Sequence, residues 1–339
     1  MIQTSTLHLL LLLLLSPLLS HHASALATPP TTLTPLPTTR PLNLRPIIGI
    51  VSQPLHSDPG LSYIAASYVK FIEMAGGRAV PIKFGDATSE IDQLMEGLNG
   101  VLFPGGGADI TNLTSPYYQF AAHIWNKALS LNDQGVHFPV WGTCLGFEFI
   151  HVMASGPNLN LLQCDYDSED LPLPLNFTTA DARTTGVLLK TMSDSLYTAV
   201  ATKPLTQNEH RCAVPTTTAY ADPTSLLSQF FAIKATNVDR NGKPFVSLVE
   251  GKKYPVYGMQ AHPEKNNFEW VTSEQNPIPH TLDAIEMSQY FANFFVNDCR
   301  RNGQTLKNAT QWLFYNYSPT YTGKTGGYFQ QTYTFAIVP

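Results

Sequence analysis

The chain has 339 residues, 43% of them hydrophobic and 13% charged, with a net charge of −5. That is enough apolar material for one large domain or two small ones. The acidic balance argues against a nucleic-acid binder, which would carry a basic stripe.

The N-terminus reads as a targeting segment. Leu9 to Leu15, extended through Pro17, Leu18 and Leu19, has the length of a signal-peptide apolar core and is short for a membrane span. Ala23-Ser24-Ala25 and Ala25-Leu26-Ala27 offer small residues for cleavage, so residues 1–27 are expected to be a signal peptide, although no Lys or Arg precedes the run. Residues 28–45 hold five prolines and six threonines, a composition that buries no core and predicts an extended leader. Sequons at Asn112, Asn176 and Asn308 agree with a secretory route.

The folded domain is expected to start at Pro46 and run to about residue 304. Ile47 to Val51 is a continuous apolar run, as in a central parallel strand covered on both faces. Ser62 to Ala75 has helical periodicity and stops at Gly76-Gly77. Strands follow at 79–82 and 100–103, with helices over 91–97 and 120–131, and a strand at 138–141 feeds a helix through 148–153. This alternation argues for an α/β fold, a doubly wound, mostly parallel sheet with helices on both faces. Pro172 to Asn176 reads as a loop leading into a strand, 193–201 as a helix, and Thr206 to His210 as a polar stretch. Strands at 230–233 and 246–249 are joined through the turn Asp239 to Gly242, 254–260 is another strand, and 287–295 a closing helix.

Three stretches carry chemistry. Pro139-Val-Trp-Gly-Thr-Cys-Leu-Gly-Phe-Glu148 reads as strand, tight turn and helix with Cys144 at the turn. This is the thiol version of a nucleophile elbow, and the helix N-terminus is expected to favour thiolate; a buried core cysteine is the bland alternative. Pro104-Gly-Gly-Gly107 ends the third strand without nucleotide-loop spacing, and its backbone suits an oxyanion hole in which Gly106 and Leu145 donate N–H groups. His262-Pro263-Glu264 ends the strand at 254–260. It can place imidazole beside the thiol with a carboxylate behind the ring, giving nucleophile, base and orienter. With Cys144 set aside, Cys164, Cys212 and Cys299 allow at most one disulfide. No histidine or cysteine spacing matches a metal site, so neither metal nor cofactor is expected.

These stretches resemble the gamma-glutamyl hydrolase (folate conjugase) family of the class I glutamine amidotransferase-like superfamily. The resemblance rests on Arg45 to Ile50, Tyr63-Ile-Ala-Ala-Ser-Tyr-Val-Lys70, Leu102 to Gly106, Phe138 to Glu148, Pro174 to Thr178, Tyr254 to Gly258, His262 to Lys265 and Phe294 to Asn297. It implies a cysteine hydrolase that removes γ-linked glutamates from folylpoly-γ-glutamates, with Cys144 as nucleophile, His262 as base and Glu264 as acidic member. It also implies substrate contacts for His210 and Tyr63, to which Glu148 and Arg211 are added, with Lys265 a further cation for a polyanionic substrate. Plant members of the family are typically vacuolar or extracellular and animal ones homodimeric, and both properties are expected here, with no membrane attachment after signal cleavage. Hydrolysis of small glutathione-like conjugates and a glutaminase-type amidase are the alternatives. Two departures stand out: Ala261 replaces a common Trp before His-Pro-Glu, and the aromatic tail from about 305 extends past the match.

Overall fold

The computed structural model describes residues 42–270, 278–325 and 328–337. The expected signal peptide and most of the leader lie outside the described residues. The leader's last residues are tied to the body, since the Asn43 N–H donates to the Arg300 carbonyl at 2.7 Å.

Eight strands form the main sheet. Arg78–Ile82, Ile47–Val51, Gly100–Phe103, Val140–Thr143 and Val256–Met259 run parallel and adjacent in that order. The antiparallel strands Pro244–Gly251, Phe231–Val238 and Asn176–Phe177 extend one edge. Every residue of Ile47–Val51 is buried, because both faces are covered. Successive side chains alternate between two cores. Ile47, Val51, Val101, Phe103 and Val140 face the helices Thr88–Met95, Pro116–Asp133 and Leu145–Ala154. Ile48, Ile50, Leu102 and Trp141 face Ala66–Met74, Asp194–Thr202 and Leu282–Cys299. Trp141 anchors the second core, with ring centroids 6.5, 6.0 and 5.9 Å from Phe71, Phe291 and Phe295. Burying each such aromatic contributes about 1.5–3 kcal/mol.

The doubly wound α/β reading therefore holds, with local corrections. Residues 62–65, expected at the start of a helix, finish the strand Asp58–Ala65, and the helix begins only at Ala66. The cause is tertiary: Tyr63 pairs with Gln53 on one side and Thr334 on the other. Thr334 belongs to Thr332–Ala336, so the aromatic tail packs on the domain by adding a strand to it. Phe314, also from the tail, is buried against Tyr333 at 4.8 Å. The polar stretch Thr206–His210 is a strand paired with Ser168–Leu173, so the segment expected as a loop before Asn176 is also partly strand. Among the cysteines, Cys164 and Cys212 form a disulfide, while Cys144 and Cys299 are free and buried. Asn112, Asn176 and Asn308 are all exposed.

Candidate active site

The strand Val140–Thr143 ends at Cys144, and the helix Leu145–Ala154 starts on the next residue. Cys144 takes φ 48°, a region that costs a non-glycine residue on the order of 1–3 kcal/mol and persists only where surroundings enforce it. They do so by close packing. A Cβ on Gly146 would stand 2.0 Å from the Phe103 carbonyl oxygen, and one on Gly142 would stand 2.6 Å from the Gly146 oxygen. Only glycine fits at either place, and the Cys144 N–H is held by the Met259 carbonyl at 3.0 Å. The elbow is thus set by packing between two parallel strands and one helix.

The parallel register of Val256–Met259 against Val140–Thr143 carries His262 to the same sheet end as Cys144. His262 Nδ1 lies 2.7 Å from Glu264 Oε1, and both side chains are buried. Because the carboxylate accepts, Nδ1 carries the proton and Nε2 is left as the acceptor. Gly105 sits between the imidazole and the cysteine. A methyl on its Cα would stand 2.6 Å from His262 Cε1 and 3.1 Å from Cys144 Cβ, so all three crowd one point. The Tyr68 hydroxyl completes the cluster, 3.3 Å from His262 Nδ1 and accepting the Gly105 N–H at 2.8 Å.

In front of Cys144 lies a cavity of about 390 Å³ lined by Gly106, Leu145, Glu148, His210 and Arg211 among others. Six residues singled out from sequence, Cys144 included, therefore meet in one space. The Leu145 N–H reaches the thiol, and the exposed Gly106 N–H has no acceptor among the described residues. His262 and Glu264 stand outside this lining. Tyr63 lines a separate cavity of about 530 Å³.

The electrostatics correct one expectation. Burial first, then the Glu148 charge, pushes the Cys144 thiol well up, and outweighs the pull of Lys265 and of the Leu145 N–H. The resting group is a thiol, so the helix N-terminus does not by itself deliver a thiolate. Glu148 is fully enclosed, and burial pushes its carboxyl up to about 8 against the opposing hydrogen bond from Gln260 at 2.9 Å. His210, read from sequence as a polar-loop residue, is buried instead. Burial pushes its imidazole down to about 3, so the ring is neutral, with Nδ1 2.9 Å from the Cys212 carbonyl. The Cys164–Cys212 disulfide fixes that carbonyl's segment. Arg211 is mostly exposed and already paired with Glu169 at 2.7 Å.

Tyr68 and Gln53 went unnoticed in the sequence. Gln53 Nε2 donates to the carbonyls of Pro104 and Gly105, and its Oε1 accepts the Ala108 N–H, so it holds the glycine loop open. Tyr68 was legible only as a core position of the helix, and a lone Gln in a short strand gives no signal at all.

Residues 46–264 match the Peptidase C26 family. The chain is 41% identical to gamma-glutamyl hydrolase of Mus musculus, covering 86% of this chain and 90% of that one. It is 38% identical to gamma-glutamyl hydrolase 1 of Arabidopsis thaliana, covering 87% and 84%. It is 36% identical to gamma-glutamyl hydrolase B of Dictyostelium discoideum, with the same coverage. Plant, animal and amoebal relatives stand at similar distances, so no plant character is singled out. With a cysteine elbow, a facing His–Glu pair and this continuous similarity, the chain belongs to the peptidase C26 family.

Proposed function

We propose that this chain hydrolyses γ-glutamyl bonds of folylpoly-γ-glutamates by acyl transfer through Cys144. The observation that supports it is the meeting of the elbow cysteine and the His262–Glu264 pair around Gly105, within a chain similar throughout to gamma-glutamyl hydrolases. Since the resting thiol is protonated, His262 Nε2 takes its proton as the sulfur attacks the γ-carbonyl. Glu264 fixes the ring's tautomer and supports the imidazolium. The Gly106 and Leu145 N–H groups receive the oxyanion. The imidazolium then protonates the leaving α-amine of the departing glutamate, and the neutral ring activates water to release the γ-glutamyl acyl unit from the thioester as its γ-carboxylate.

The neutral His210, which lines the cavity, is read here as a substrate contact. Arg211, being paired with Glu169, contributes less than its charge suggests. Glu148 stays protonated below about 8 and so does not repel an anionic substrate in acid. We also place the protein in the secretory pathway, ending in a vacuole or outside the cell, glycosylated at Asn112, Asn176 and Asn308. The apolar run at 9–15 and the exposure of the three asparagines support this. We also propose a homodimer, which the resemblance to animal family members supports and sedimentation would test.

The deciding experiment is product analysis on folyl-pentaglutamate at acidic pH with reductant, for the wild type beside Cys144→Ala. Release of glutamates that vanishes in the variant is expected. No release by folded wild type would overturn the substrate, and release by the variant would overturn the nucleophile.

A further inference from the structure

Gln53 lies just past the C-terminal end of Ile47–Val51, at the sheet end that also carries Cys144 and His262. Ile50 stands opposite Leu102 in the parallel register, and continuing that register past both strands brings Gln53 level with Gly105. The side chain is buried, and the glycine loop takes up most of its hydrogen-bonding capacity. Its two N–H groups go to two carbonyls, Pro104 at 3.2 Å and Gly105 at 3.1 Å, and Oε1 accepts the Ala108 N–H at 3.3 Å.

Other bonds tie down the rest of the loop. The Gly105 N–H donates to the Tyr68 hydroxyl, and the Gly107 carbonyl meets His56 Nε2 at 2.8 Å. The Gly106 N–H is left without an acceptor among the described residues, on a residue that lines the cavity in front of Cys144. A trans peptide points its C=O and its N–H to opposite sides. A grip on the Gly105 carbonyl therefore turns the Gly106 N–H away from the buried amide. Glycine on both sides of this peptide permits either orientation, so the direction has to be imposed from outside. The fit is close: a Cβ on Gly106 would stand 2.1 Å from Gln53 Oε1.

We propose that Gln53 is a positioning residue for the reaction, whose amide fixes the Gly105–Gly106 peptide in the orientation that aims the Gly106 N–H at the oxyanion. It acts through the backbone of Gly106 rather than on the substrate. A donor held in place beforehand costs no reorganisation when charge develops on the oxygen. The inference rests on the γ-glutamyl hydrolase reading above and adds to it the residue that prepares the oxyanion hole.

The test uses Gln53→Met, which keeps the length and removes all three bonds, with folyl-pentaglutamate as substrate. kcat is expected to fall by about 10²-fold, the cost of losing one oxyanion donor, with KM within about threefold of the wild type. Two reagents separate this from a general loosening of the site. An aldehyde carrying hydrogen in place of the leaving glutamate adds to Cys144: the S–C bond forms, the C=O π pair moves to oxygen, and that oxygen takes the oxyanion's place. Its affinity should weaken about as much as kcat/KM falls. Iodoacetamide alkylates the same thiol by displacing iodide, with no oxyanion, and its rate should stay within about twofold. Gln53→Glu adds a pH signature and serves if Gln53→Met does not fold. Ionised, it has no hydrogen for either carbonyl; protonated, it donates to one, so its kcat relative to the wild type should rise as the pH falls. A Gln53→Met kcat within about threefold of the wild type, a loss carried by KM alone, or unchanged aldehyde affinity beside a lowered kcat would overturn the proposal while leaving γ-glutamyl hydrolysis standing. So would iodoacetamide slowed as much as hydrolysis, or a Gln53→Glu ratio that does not change with pH. No cleavage by folded wild type would overturn the underlying reading, and this proposal with it.

Discussion

Cys144 and Cys299 share much: each is unpaired, buried, and pushed toward the thiol by its enclosure. They sit at opposite ends of helices. Cys144 precedes Leu145–Ala154, whose first N–H groups have no partner within the helix, and its own backbone is held at φ 48°. Cys299 ends Leu282–Cys299, where the negative pole of the helix and Asp298 both oppose a thiolate. Its sulfur fills space, lying where a Cβ on Gly100 would come within 2.5 Å. Thiol acidity alone does not separate the two. The backbone, and the imidazole brought in by a neighbouring parallel strand, do.

The largest effect should come from exchanging sulfur for oxygen at each place. Cys144→Ser is expected to lower kcat by about 10³-fold or more, with melting temperature little changed. Cys299→Ser should keep kcat within about twofold and lose about 1–3 kcal/mol of stability, because a hydroxyl replaces sulfur in an apolar core. Steady-state kinetics and thermal melts on both proteins check this. A Cys299→Ser protein that is stable yet inactive would break the contrast.

The elbow half of the site was readable in sequence because its determinants are local. A buried strand, Gly142, Cys144 and Gly146 lie within seven residues, and His262 to Glu264 within three. Parallel strands covered on both faces leave unbroken apolar runs, so Ile47–Val51 and Gly100–Phe103 were also legible. What escaped depends on distant pairing. Residues 62–65 read as helix because Tyr63, Ile64 and Tyr68 fit that period, and pairing with the short strand Gln53–Leu55 and with the tail strand Thr332–Ala336 imposes the alternative. His210 lies in a strand of Thr, Gln, Asn and Glu, whose burial is permitted by partners elsewhere. Asn208 Nδ2 donates to the Leu171 and Thr206 carbonyls, and Thr206 Oγ1 donates to Leu173. Hydropathy cannot foresee burial obtained through such bonds.

The next effect concerns what Cys144 has and Cys299 lacks, an oriented imidazole. Glu264→Gln removes the carboxylate that accepts from His262 Nδ1 at 2.7 Å. The wrong tautomer becomes accessible and the imidazolium loses its counter-charge, so kcat should fall by about 10²–10⁴-fold. KM should change much less, since Glu264 lies outside the cavity lining. A variant that instead raises KM with kcat preserved would show that Glu264 serves binding.

The smallest effect sharpens the comparison by adjusting the thiol without touching its partners. Glu148 faces Cys144 as a buried carboxyl with its pKa pushed up to about 8, chiefly by burial. When ionised, it raises the thiol further. Glu148→Gln keeps the shape and removes the charge, so iodoacetamide labelling of Cys144 should rise at lower pH than in the wild type, while labelling of Cys299 stays put. Stability responds in a definite direction. A carboxyl whose folded pKa is raised contributes stability that is fully present below its ordinary range, and that stability is lost as pH rises through about 8. The wild type should therefore lose melting temperature between about pH 5 and pH 8 relative to the variant, and the two curves should converge in acid. A parallel pair of curves would mean that water or relaxation already solvates the carboxylate, and that the proton on Glu148 has no part in setting the thiol.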